Sequence, residues 1–128
     1  MMQIALVGAG GAVGAIARYL TGVGVGRMFP GSPPWTGTFV INVVGGLLMG
    51  LLIGTLALRM SEGGERWRLL LGVGVLGGFT TFSTFALEAA GMLQRRDDTS
   101  LIVYVVGSVL LSIFALMLGL FIARKVFA

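Results

Sequence analysis

Gly77-Gly78-Phe79-Thr80-Thr81-Phe82-Ser83-Thr84-Phe85 lies midway along an apolar stretch, residues 69–93, that is long enough to cross a bilayer. Two glycines and the hydroxyl residues Thr80, Thr81, Ser83 and Thr84 are poor material for a continuous helix at that depth. Backbone that leaves the helical pattern inside a membrane is tolerated only when buried in protein or lining a wet cavity. There it exposes carbonyl oxygens able to hold a cation and amide ends that favour an anion. The stretch therefore predicts a broken third helix built around an ion-binding or permeation site.

The rest of the chain fits that setting. Of 128 residues, 56% are hydrophobic and 11% charged, where a soluble domain carries about a quarter charged; the mean hydropathy is +0.99. Apolar segments run over residues 2–25, 36–58, 69–93 and 101–123, each exceeding the ~20 residues that span the hydrocarbon. The first has no basic n-region and leads into Arg18-Tyr19 without a clear cleavage site, so it is expected to remain as a helix. The connections, residues 26–35, 59–68 and 94–100, are too short for a soluble domain. The expected architecture is one all-α transmembrane domain, residues 1–128, of four helices.

Charge position says more than net charge. With four spans, Arg59, Arg66, Arg68, Arg124 and Lys125 fall on one side, and Arg18, Arg27, Arg95 and Arg96 on the other. Orientation follows the Lys/Arg difference between sides, and here it nearly vanishes. Insertion in both directions is expected, and with it an antiparallel, dual-topology homodimer, an inverted repeat made from one chain. The other reading is an orientation fixed by partners. A lone four-helix unit buries few side chains, which also favours a dimer.

Enzyme chemistry finds no support. The chain has no Cys and no His, so thiolate and imidazole ligands are excluded, and no nucleophile–base pair, phosphate loop or basic nucleic-acid patch is visible. Gly8-Ala9-Gly10-Gly11-Ala12-Val13-Gly14 imitates a dinucleotide fingerprint, but no strand precedes it and no acid follows at the needed distance. Its glycines, spaced by three and four, suit close helix packing in lipid. No nucleotide and no nucleic acid is expected as a partner.

A few polar residues within the apolar segments carry the chemistry. Arg18 lies one or two turns inside the end of its helix, where a charge must snorkel or face water; a vestibule cation that attracts anions is the second possibility. Asn42 is a lone amide that either bonds a neighbouring helix or donates to an anion through its NH2 group. Phe79, Phe82 and Phe85 recur every three residues. Their ring edges carry positive quadrupole potential and can attract a small anion, beside hydroxyls able to replace its water. Glu88 is the one carboxylate inside a segment. Tyr104, Ser108 and Ser112, four apart, form a hydroxyl line about 12 Å long at ~1.5 Å per residue. Such hydroxyls either bond back to their own helix or serve as a track.

Three blocks resemble the Fluc (CrcB-type) fluoride channels: Gly10-Gly11-Ala12-Val13-Gly14-Ala15-Ile16-Ala17-Arg18-Tyr19, Gly37-Thr38-Phe39-Val40-Ile41-Asn42-Val43-Val44-Gly45, and the Gly77–Phe85 stretch. The last is the most specific, and the likeness covers nearly the whole chain. It implies a dual-topology homodimer with two antiparallel fluoride pathways in the cytoplasmic (inner) membrane. Phe82 and Phe85 would face fluoride, with Asn42 as a donor and Thr38 also on the path. Tyr104, Ser108 and Ser112 would be the polar track, Ser83, Thr84 and Glu88 a hydroxyl–carboxylate group near the pore end, and Arg18 a vestibule residue. The resemblance also implies a structural Na⁺ at the dimer centre, on the backbone carbonyls of Gly77 and Thr80 from each subunit.

Two other classes fit less well. A small proton-coupled cation exporter, also four helices with dual topology, needs a membrane carboxylate, usually early in the chain, and the first two segments contain none. A scaffold or lysis protein needs neither a broken helix nor a hydroxyl line.

Overall fold

The computed structural model describes residues 1–59 and 63–127, so part of the expected second connection, residues 60–62, lies outside the described residues. Four helical stretches are long and apolar enough to span a bilayer: Met2–Met28, Thr36–Arg59, Gly64–Gln94 and Asp98–Phe127. We call the first two α1 and α2, and the last α5. The third is two helices, α3 (residues 64–79) and α4 (Phe82–Gln94), separated by Thr80 and Thr81.

Local chemistry sets the ends. Pro30 cannot donate a helical hydrogen bond and disfavours helical geometry in the residue before it. Phe29 accordingly leaves the helix at φ −124°, ψ 66°, and Gly31 turns the chain at φ +90°. At the end of α4 the amide of Arg96 bonds the Leu93 carbonyl and that of Asp97 bonds Met92, with Arg96 left-handed at φ 56°. This is a Schellman closure with arginine where glycine is the usual residue. Asp97 then starts α5 by accepting from the Ser100 amide at 3.2 Å.

Two glycine seams hold the bundle. In the first, α1 lies against α3: a Cβ added at Gly14 would fall 2.0 Å from the Val75 carbonyl oxygen, one at Gly10 2.3 Å from Leu70 O, and one at Gly78 2.6 Å from Gly11 O. In the second, α2 lies against α5: a Cβ at Gly50 would fall 2.1 Å from Leu116 O, one at Gly119 2.4 Å from Leu47 O, and one at Gly46 2.7 Å from Ser112 O. Lipid supplies no hydrophobic drive between helices, so close backbones and their dispersion contacts supply the cohesion. Packing was the expected role for the α1 glycines, and Gly10 and Gly14 fill it; a Cβ on Gly8 or Gly11 would meet nothing within 4 Å, and Gly11 enters the seam only through the backbone that Gly78 approaches. The spacing Gly46, Gly50, Gly54 on α2 is just as regular, yet reads in sequence as small apolar filler.

The break lies inside the stretch expected to carry it, at the hydroxyl residues Thr80 and Thr81 and not at the two glycines before them. Gly77 and Gly78 are helical, as the last turn of α3. Before them Arg68–Leu76 is wound as a π-helix, a widening often found beside functional sites, in which the Gly77 amide reaches back to the Gly72 carbonyl. Gly78 serves the α1 contact instead of the break.

Candidate functional site

Thr80 (φ −78°, ψ 158°) and Thr81 (φ −151°, ψ 119°) are extended. Several groups answer for the backbone they expose. The Thr80 amide and hydroxyl both donate to the Leu76 carbonyl, at 3.0 and 2.9 Å. The Asn42 carboxamide takes both polar groups of Thr81: Nδ2 donates to the Thr81 carbonyl at 3.0 Å, and Oδ1 accepts from its amide at 2.9 Å. Thr81 Oγ1 then accepts from the Thr84 amide at 3.2 Å and donates to Thr84 Oγ1, which caps α4. The Arg18 guanidinium, carried by α1, donates to the Thr80 carbonyl at 3.3 Å. Arg18 therefore reaches inward to the break, where a snorkelling arginine would reach the interface.

These bonds occupy three of the four hydroxyls expected to face an ion. Thr80 bonds back to its own helix, and Thr81 and Thr84 bond each other. Ser83 is exposed on the single chain. Polar side chains close to an interrupted backbone serve that backbone first, because an unpaired amide in hydrocarbon costs several kcal/mol, roughly 4–8 on an alkane scale.

A groove of about 380 Å³ opens beside the break, between α2 and α5. Asn42, Phe82, Phe85, Ser108 and Ser112 line it, with Met49, Val109, Ile113 and Leu116 as apolar walls. Phe82 is 79% exposed, while Phe79, the third member of the aromatic stripe, is core. The Phe82 and Phe85 rings lie 5.6 Å apart at 39°. Ser108 is 5% exposed, and its Oγ has no hydrogen-bond partner among the described residues. A buried hydroxyl left unpaired beside a groove needs a donor or acceptor that the chain does not supply.

The remaining predicted residues form a second cluster. Tyr104 is fully buried, and its hydroxyl donates to Glu88 Oε2 at 2.5 Å. Thr38 donates to Glu88 Oε1 at 2.9 Å. Both carboxylate oxygens thus take hydroxyls from α2 and α5, while Ser83 and Thr84, expected to group with Glu88, lie about one turn before it on α4 and make no hydrogen bond to it among the described residues. Phe85 joins the cluster to the groove, its ring 5.1 Å from that of Tyr104. Trp35 stacks behind Tyr104 at 5.0 Å and meets Phe39 edge-on at 6.1 Å. Thr38 also lines a smaller depression of about 230 Å³ under the first connection, with Ser32 and Pro33.

Trp35 and Met49 escaped sequence reasoning. A signal for Met49 existed: Thr38, Asn42, Gly45 and Met49 follow at spacings of four, three and four, which is one helix face. Gly45 keeps that face close to the break, since a Cβ there would fall 2.2 Å from Thr80 Cγ2.

The Gly77 and Thr80 carbonyls suit a hard cation in chemistry. In a continuous helix the Thr81 amide would bond the Gly77 carbonyl; here it donates to Asn42 instead. Thr80's carbonyl is extended and partnered by Arg18. Among the described residues no group of three or more Asp or Glu could hold a metal.

Comparison with known proteins gives a consistent set of likenesses. A family model described as "CrcB-like protein, Camphor Resistance (CrcB)" matches residues 5–120. A fluoride-specific ion channel FluC from Caulobacter vibrioides (strain NA1000 / CB15N) is 58% identical over 129 residues, covering 100% of both chains. FluC from Phenylobacterium zucineum is 56% identical over 129 residues, again with 100% of both chains covered. FluC from Novosphingobium aromaticivorans is 49% identical over 132 residues, 98% of this chain and 99% of the relative.

Proposed function

The chain belongs to the CrcB-like family, and from that membership we propose that it is a passive, electrogenic, fluoride-selective channel and not an enzyme. The observation that carries this reading is the unpaired Ser108 hydroxyl, buried beside the exposed Phe82 and half-buried Phe85 on one groove. Fluoride is small and strongly hydrated, so a pore must offer donors in place of water. Ser108, Ser112, the second N–H of Asn42 and the ring edges of the two phenylalanines are such groups. An anion path through Thr38, Glu88 and Tyr104 would have to pass a carboxylate, whose hydroxyl partners can turn from it toward a passing ion.

The groove is open along one side, and Phe82 stands out of the single chain. A second copy in antiparallel orientation would close it, giving a dual-topology homodimer with two pores. The near-equal Lys/Arg count on the two sides supports this. Gly77 is exposed and its carbonyl lacks the Thr81 donor, which supports a structural Na⁺ shared between the Gly77 and Thr80 carbonyls of two copies. Bound there, Na⁺ would neutralise the Gly77 carbonyl dipole and share the Thr80 carbonyl with the Arg18 guanidinium.

In an inner membrane such a channel exports fluoride without coupling. HF crosses the bilayer neutral and dissociates inside, and a negative interior drives the anion out at ~2.3 kcal/mol per charge per 100 mV. The test is efflux from liposomes holding the purified protein, read with a fluoride electrode. Fast fluoride loss that requires valinomycin and K⁺, with no chloride loss, is expected. Efflux without valinomycin would contradict an electrogenic channel, and no fluoride efflux would contradict the function. For the dimer, two Lys added to the second connection should fix one orientation and abolish flux, with recovery on co-expression of an oppositely biased copy. A single-orientation population that conducts normally would sink the antiparallel arrangement.

A further inference from the structure

The Asn42 carboxamide presents a donor and an acceptor side by side in one plane, as the edge of a peptide does. Thr81, being extended, turns its own amide and carbonyl to the same side. The two groups meet at 2.9 and 3.0 Å, the double exchange that a residue in an antiparallel pair makes with its opposite number. Asn42 thus acts on the backbone of the third span as a one-residue strand would.

We infer that Asn42 is a positioning residue: by pairing with both backbone groups of Thr81 it sets the residue at which the third span breaks, and so the direction in which Phe82 and Phe85 face. The inference rests on the channel reading and adds to it the device that orients its aromatic site.

Three consequences follow from the geometry. A helix continuing through Thr81 would send that amide to the Gly77 carbonyl; with the amide held by Asn42, α3 cannot continue. Thr81, kept extended, is free to cap the next helix through its hydroxyl, so α4 begins at Phe82. The start of α4 fixes its rotation. Moving the break by one residue would turn α4 by roughly 100°, since a turn takes ~3.6 residues. Such a turn would carry Phe82 and Phe85 off the groove that they now line. Pairing with Thr81 occupies one of the two Nδ2 protons, so the other remains for the groove, which Asn42 also lines. Aspartate cannot donate to the Thr81 carbonyl, and glutamine is one methylene too long to keep the register.

The decisive experiment removes the Thr81 amide and leaves every side chain in place, by replacing the Thr80–Thr81 amide with an ester. Fluoride efflux from liposomes is compared among wild type, the ester, Asn42→Ala and the two combined. The ester and Asn42→Ala should each slow efflux by about tenfold or more, and the combination should be no slower than the worse of the two. An ester that conducts at the wild-type rate would overturn the inference, and so would losses that multiply. Hydrogen exchange gives a second arm that does not depend on the ester's assembly. The Thr81 amide should be protected in wild type and exchange at least about tenfold faster in Asn42→Ala, while amides of residues 86–92 keep their rates. Equal Thr81 exchange in the two proteins would also overturn it. Wild-type protein that passes no fluoride would refute the channel reading, and the exchange arm would still decide the role of Asn42.

Discussion

The two halves of the third span are built to different rules. α3 is sewn to α1 backbone against backbone, and its Gly72, Gly74, Leu76 and Phe79 are buried. α4 buries Met92 alone and turns Phe82 and Leu87 outward, both more than 70% exposed. The first half is anchored by the absence of side chains, the second is placed by a few polar bonds. Rigid backing on one side of the break and an unpartnered aromatic face on the other is the arrangement expected of a site completed by something outside the single chain.

Substitutions can test that contrast. The largest effect should come from the seam: Gly14→Val forces atoms into the Val75 carbonyl and should destabilise by more than about 3 kcal/mol, seen as loss of monodisperse protein or a lower Tm in detergent. Gly8→Ala, with open space around it, should be neutral or gain up to about 1 kcal/mol of helix propensity. Equal effects at Gly8 and Gly14 would erase the seam. Phe82→Ile should do the opposite of Gly14→Val. Fluoride efflux falls by about tenfold or more, ~1.4 kcal/mol of barrier, while thermal stability changes by less than about 1 kcal/mol, since the ring is exposed. Phe82→Ile protein that conducts normally would take the aromatic face out of the mechanism.

Between these lies Tyr104→Phe, which leaves Glu88 Oε2 without its hydroxyl and should cost about 1–3 kcal/mol in thermal unfolding. An unchanged Tm would mean that the cluster contributes nothing to holding α4 against α5. The smallest effect is expected at the far end of α4. Arg96→Gly relieves a left-handed arginine and should gain a few tenths to about 1 kcal/mol, with efflux unaltered. Altered efflux would show that α4 transmits changes along its length to Phe82.

Much of this was legible in residue order. Apolar runs placed four spans to within a few residues at most ends, because a bilayer demands length and low charge and little else. The hydroxyl-rich stretch marked the interrupted span. Its breaking point within that stretch was less legible: glycines and hydroxyl residues alike are poor in a helix, and the structure keeps Gly77 and Gly78 helical and interrupts at Thr80 and Thr81. Propensity scores a residue against its own chain, and here a side chain from α2 and a close approach to α1 outweigh it. The use of the threonine hydroxyls was hidden for the same reason, since sequence shows donors without showing which backbone atoms lack partners.

By itself, then, the sequence determined a four-span membrane chain with nearly equal Lys/Arg counts on the two sides of its spans, an interruption in its third span and the polar residues near it. Those follow from counts and periodicities that any fold of the chain must respect. Tertiary structure decided which of these residues share a groove, that Glu88 takes its hydroxyls from Thr38 and Tyr104, that Arg18 turns inward to Thr80, and that Ser108 finds no hydrogen-bond partner among the described residues. Each of these depends on the rotation of one helix against another, which is set where glycines let backbones touch and where Asn42 holds Thr81.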